Sequence, residues 1–150
     1  MTAAGWTARL GDGAERVLVT AWVGSLWAVG YVVAPQLFAT LDDRTLAGGI
    51  AGGLFETQTW ISITCGALLL LLYGVSRRKR QYGDLRLWLV IVMLALMAAS
   101  EWLLGPLMAD AERGSRAFAL LHGASALLYL AASVAGLGLV LVARPGTRGP

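Results

Sequence analysis

The chain has little of what most sites are built from. Of its 150 residues one is cysteine and one is histidine, four are proline, and charged side chains make up 14%. A lone Cys65 excludes a disulfide framework within the chain. A lone His122, with no HxxxH, ExxH or CxxC spacing anywhere, leaves metal-binding and redox motifs without their usual ligand pairs. No Gly-rich phosphate loop, nucleophile elbow or paired Cys occurs, so the common catalytic signatures are missing as well. There is no internal repeat, no low-complexity segment and no second domain.

What is present is apolar surface. Hydrophobic residues reach 57% and the mean hydropathy is +0.68, outside the range of ordinary soluble domains. A helix needs about 20 apolar residues to cross a bilayer, and four stretches qualify, at about 17–40, 54–75, 85–108 and 117–143. Segments such as "GALLLLLYGV" and "LWLVIVMLALMAA" do not alternate, which excludes a transmembrane β-barrel. The first stretch is too long for a signal-peptide core, and "APQLFATLDD" has no small-x-small cleavage site. The predicted fold is therefore all-α: one integral membrane domain over residues 1–150, a bundle of four transmembrane helices with short polar tails.

The charges set the expected orientation. Arg9, Arg16, Arg77, Arg78, Lys79, Arg80, Arg86, Arg144 and Arg148 fall on one side, and only Arg44, Arg113 and Arg116 on the other. The positive-inside rule makes the richer side cytoplasmic, with both termini there, in what is expected to be a bacterial inner membrane. The basic run "SRRKRQYGDLR" reads as a topology determinant, so no nucleic-acid partner is expected although the isoelectric point is near 9.5. Trp6 in the N-terminal tail is placed as a headgroup anchor. The tail "ARPGTRGP" reads as disordered.

Two features of the spans concern packing. Pro35 near the outer end of the first helix and Pro106 near that of the third interrupt the backbone ladder, and the freed carbonyls need a neighbouring helix or water. In "TLAGGIAGGLFETQTW", Gly48 and Gly52, and Gly49 and Gly53, form overlapping small-xxx-small pairs. These fit either a tight helix crossing or dimer contact, or a flexible segment lying along the outer surface before the second span.

Ionisable groups inside a membrane usually face the bundle interior or water, so they mark candidate sites. Three are expected in the spans: Glu56, Glu101 and His122. Glu101 lies about 16 residues, or roughly 24 Å, from the inner end of the third helix. With Gln36, all of them fall at similar depth in the outer third. Met93, Met97, Glu101 and Met108 share one stripe of the third helix, and His122, Ser125, Tyr129, Ser133 and Gly136 share a face of the fourth. The Tyr129 hydroxyl would lean outward toward His122. A Glu101–His122 contact would compensate both groups, as a packing or gating element. The same two residues are the candidate metal ligands, with copper favoured by the neighbouring thioethers, while a Met stripe on its own is ordinary core packing.

Taken in order, "WVGSLWAVGYVVAPQLFATL", "RTLAGGIAGGLFETQTWIS", "EWLLGPLM" and "FALLHGASALLYLAASVAGLGLVL" resemble the domain-of-unknown-function 4149 family, the transmembrane protein 205-like small membrane proteins. The likeness runs over residues 17–143, through Gly24, Pro35, Phe38, Gly48, Phe55, Pro106, Met108, His122, Gly123 and Ser125. It departs at Glu56, where the family often has proline, and at Glu101, frequently an uncharged amide. The resemblance implies no settled activity; an association of its animal member with platinum-drug resistance implies handling of metal compounds. A more distant likeness, through "GYVVAPQLF", is to copper-resistance protein D and haem-linked protoporphyrinogen oxidases. The histidines those oxidases carry before and after that segment are missing around Thr20 and Leu41.

The expected role is non-enzymatic: binding or transport of a cation, metal complex or small solute by the polar cluster of Gln36, Glu56, Glu101, His122 and Ser125. A haem- or copper-dependent membrane oxidoreductase is the first alternative. A structural subunit of a larger membrane complex, or a homo-oligomer, is the second.

Overall fold

The computed structural model describes residues 3–75 and 84–142, with side chains for 9–74 and 85–142. Among the described residues every regular element is helical. The first span comprises α1 (Ala3–Trp27), a π-helical segment π1 (Ala28–Val33) and α2 (Ala34–Thr40). The second is the single helix α3 (Arg44–Val75). The third repeats the broken form with α4 (Asp84–Ala98), π2 (Ala99–Leu104) and α5 (Gly105–Asp110), and the fourth is α6 (Arg116–Leu141).

Four helical stretches, Arg9–Thr40, Arg44–Gly74, Leu85–Asp110 and Arg116–Leu141, are long and apolar enough to cross a bilayer. Large apolar side chains such as Trp60, Trp88, Trp102 and Leu127 line the outside, as they do where the solvent is lipid. The molecule is a four-helix membrane bundle.

Both short connections lie at one end, here the turn end; the other, the tail end, holds the start of α1 and the end of α6. Local chemistry starts the helices at the turns. Asp43 Oδ1 accepts from the N–H groups of Thr45 (2.8 Å) and Leu46 (3.1 Å), and Ser115 Oγ accepts from Phe118 N–H (3.1 Å), satisfying donors that have no partner within the helix. Gly114, at φ +89°, supplies the left-handed turn before Ser115, a conformation glycine adopts without strain.

Several boundaries differ from the sequence reading. The first helix begins at Ala3, well before residue 17, so Glu15 belongs to it rather than to a tail. The Gly-rich segment is the first part of α3, a continuous helix of 32 residues. A Cβ added at Gly48, Gly49, Gly52 or Gly53 would meet no atom within 4 Å, so these glycines make no tight crossing inside the chain. The buried small residues of that segment are Ala47 and Ala51, and α2 packs against this helix. Trp6, the run from Arg77 to Arg80, and Arg144 and Arg148 lie outside the described residues or side chains.

Although the chain has no overall repeat, one break recurs. In "AVGYVVAP" and "ASEWLLGP" a π-helical segment starts seven residues before a proline. Ala34 N–H bonds to the Val29 carbonyl and Gly105 N–H to that of Ser100, each reaching five residues back instead of four. Proline cannot donate the next bond; the wider turn accommodates this without breaking the rod.

Two buried clusters form the core. Toward the tail end Val19, Trp22 and Val23 pack with Cys65, Leu69, Val90, Met93 and Leu139. Toward the turn end Leu26, Met97, Tyr129 and Ala132 pack together, with Phe55 and Leu96 against them. Met93 and Met97 are thus core residues, as a stripe of that spacing commonly is.

Candidate functional site

The candidate residues separate on folding. Gln36 and Glu56 are exposed, Glu101 and Ser125 are half-buried, and His122 is exposed, its ring stacked on Phe118 with centroids 6.0 Å apart and planes 3° from parallel. Among the described residues Glu101 and His122 make no ion pair or hydrogen bond with each other. Glu101 on π2 and Glu56 on α3 instead belong to two elements that pack on each other. Beside Glu101, Ser100 and Ser125 share a hydroxyl–hydroxyl bond of 2.7 Å, tying π2 to α6. Neither Glu56 nor Glu101 has a basic partner among the described residues. No group of three or more His, Cys, Asp or Glu side chains among them is arranged to hold a metal ion.

Tyr129 does not lean toward His122. Its hydroxyl crosses to the first span and donates to the Leu26 carbonyl at 2.6 Å. The ring lies against Gly30, where an added Cβ would stand 3.0 Å from Cζ and closer still to a second ring carbon, and it contacts Phe55 edge-on (5.2 Å, 82°) and Tyr31 (6.4 Å). Only glycine admits this approach, and it does so inside π1. One tyrosine thereby holds the broken part of the first span to the second and fourth.

Residues that were not anticipated carry the tail end. Glu15 on α1 and Arg86 on α4, 2% and 3% exposed, form an ion pair at 3.0 Å. Tyr73 on α3 donates its hydroxyl to the same Glu15 oxygen (3.1 Å), and Arg86 Nη1 donates to the Val142 carbonyl at the end of α6 (2.6 Å). Every span contributes one group to this clasp. Charge assistance makes these strong bonds, and removing either ion would strand the other in a buried site.

Gln58 was missed too. It is fully buried on α3, and neither its carboxamide oxygen nor its nitrogen has a hydrogen-bond partner. Thr59 and Ser62 beside it are also buried, with hydroxyls donating to backbone carbonyls four residues back. The signal was the stretch "ETQTWISIT", the most polar within any span.

What these features define is an all-helical membrane protein, ionically closed at one end, with acidic and hydroxyl side chains at and beside the broken third span toward the other. The family follows from the sequence comparison: residues 17–117 match the domain of unknown function DUF4149, and the chain belongs to that family. The match ends before His122, Gly123 and Ser125, so the likeness at those positions lies beyond it. No curated protein and no solved structure matches the chain.

Proposed function

We propose that the protein binds a cation at the turn end and passes it, or a small cationic solute, toward the bundle interior without chemical conversion. The carrying observation is that Glu56 on α3 and Glu101 on π2 belong to two elements packed on each other, and neither carboxylate has a basic partner among the described residues. Like charges held together at a membrane-embedded site are costly, and a bound cation relieves the repulsion. The Ser100–Ser125 hydroxyl pair adds neutral oxygen donors. Oxygen ligands of this kind suit a hard divalent ion better than copper. His122 joins such a site only if its ring leaves Phe118. In this reading the turn end faces outward and the tail end the cytoplasm of a bacterial inner membrane.

The test is thermal unfolding of the full chain in lipid nanodiscs with Mn²⁺ as probe. A ligand that binds only the folded state at a hundred times its dissociation constant stabilises by about 2.7 kcal/mol. The unfolding temperature is expected to rise with Mn²⁺ in the wild type and to stay flat in Glu56→Gln and Glu101→Gln. Equal rises in all three proteins, or none in the wild type, would remove the cation reading.

A further inference from the structure

We infer that the bundle is hydrated along its axis, with water held by the Gln58 carboxamide and by buried polar groups deeper toward the tail end. This goes beyond the cation reading and stands without it.

Four buried side-chain polar atoms lack a hydrogen-bond partner among the described residues: Gln58 Oε1 and Nε2, Trp22 Nε1 and Arg86 Nε. Gln58 and Trp22 are fully buried and Arg86 nearly so. Buried polar groups in folded proteins are almost always hydrogen-bonded, to protein or to ordered water. In a bilayer, solvent on the lipid side cannot meet the need.

These atoms are not scattered at random. Counting fifteen residues along each helix from the Glu15–Tyr73 bond brings Gly30 of π1 level with Gln58. Gly66 lies against Leu94, and eight residues further along each helix Gln58 comes level with Trp102 of π2. The orphaned carboxamide therefore sits at the depth of both π-helical segments, and α3 packs against each of them. Trp22 lies about two turns deeper than Gly30, and Arg86 belongs to the clasp at the tail end. The unmet donors and acceptor thus descend in order from the broken helices to the ionic closure.

The chemistry fits water better than an ion. A carboxamide offers donors and an acceptor at once, the indole and guanidinium nitrogens only donate, and the Ser62 hydroxyl one turn from Gln58 retains acceptor capacity. A buried water commonly needs about three such partners. The clasp marks where the hydrated path stops.

The experiment uses the full chain in lipid nanodiscs with ¹⁵N-labelled glutamine side chains. The Gln36→Ala/Gln81→Ala double variant leaves Gln58 as the only glutamine, so its signal is assigned. Magnetisation transfer from water to the Gln58 carboxamide protons is expected, and it should disappear if those protons are dry. No transfer overturns the proposal. A second reading comes from Gln58→Leu: a hydrated carboxamide predicts an unchanged or lower unfolding temperature, whereas a rise of several degrees identifies a dry orphan and overturns it as well. Neither result bears on the Mn²⁺ response of the glutamate variants, so the two ideas fail separately.

Discussion

The tail end and the turn end of this bundle hold the same four spans together by opposite means. At the tail end the Glu15–Arg86 ion pair recruits Tyr73 and the Val142 carbonyl, and the described helices leading to it are regular. At the turn end no ion pair joins the spans among the described side chains. The first and third helices open into π-helical segments, and contact passes through Tyr129, its bond to a backbone carbonyl and the Ser100–Ser125 pair. Charge-assisted bonds between buried groups resist opening, while π-helical turns and neutral hydroxyl contacts are the kind of structure found where proteins move or bind. The two ends differ in what they can do: one closes, the other can rearrange.

The comparison breaks most visibly at the clasp. Arg86→Ala takes from the buried Glu15 the guanidinium that compensates its charge, and a loss of about 3–5 kcal/mol is expected in thermal or chaotrope unfolding of the detergent-solubilised protein. The joint change Glu15→Leu/Arg86→Met removes both charges and should recover most of that loss; if it does not, the clasp acts through more than its ion pair. Next in size is Gly30→Val, which drives a branched side chain into the Tyr129 ring, with about 1–3 kcal/mol of overpacking expected in the same measurement. Tyr129→Phe keeps the ring and removes only the bond to Leu26, so about 1 kcal/mol is expected. The smallest effects should come from His122→Ala and Gly49→Ala, each within about 0.5 kcal/mol of wild type, because one side chain is exposed and the other position faces open space. A Gly49→Leu variant that lost a cross-linked dimer while the monomer's unfolding stayed unchanged would assign that glycine face to a second copy of the chain.

Long apolar runs were enough to read the four spans, because a bilayer demands little more than length and hydropathy. The ends of the spans were harder. Glu15 and Arg86 sit at the edges of the apolar runs, where a charged residue is indistinguishable by composition from one that solvates in a tail or marks topology; only the packing of all four helices reveals them as partners. Pro35 and Pro106 did announce breaks near the turn end, yet proline specifies neither a π-helical turn nor the tyrosine that fills it. The expected Glu101–His122 pair rested on depth alone. Helix rotation leaves the His122 side chain exposed and stacked on Phe118 rather than facing Glu101. Gln58 went unnoticed because attention fell on ionisable groups, although a neutral amide in a span is nearly as demanding of partners.

The clasp and the Tyr129 bond also impose an order on synthesis. Glu15 leaves the ribosome 71 residues before Arg86, and Leu26 waits 103 residues for the hydroxyl that caps its carbonyl. At about 5–20 residues per second, a nascent first hairpin spends several seconds without the guanidinium that pairs with Glu15 and without the hydroxyl that donates to the Leu26 carbonyl. Such a half-made protein is a natural client for membrane chaperones, and chains cut short before the last span should be cleared rather than accumulate.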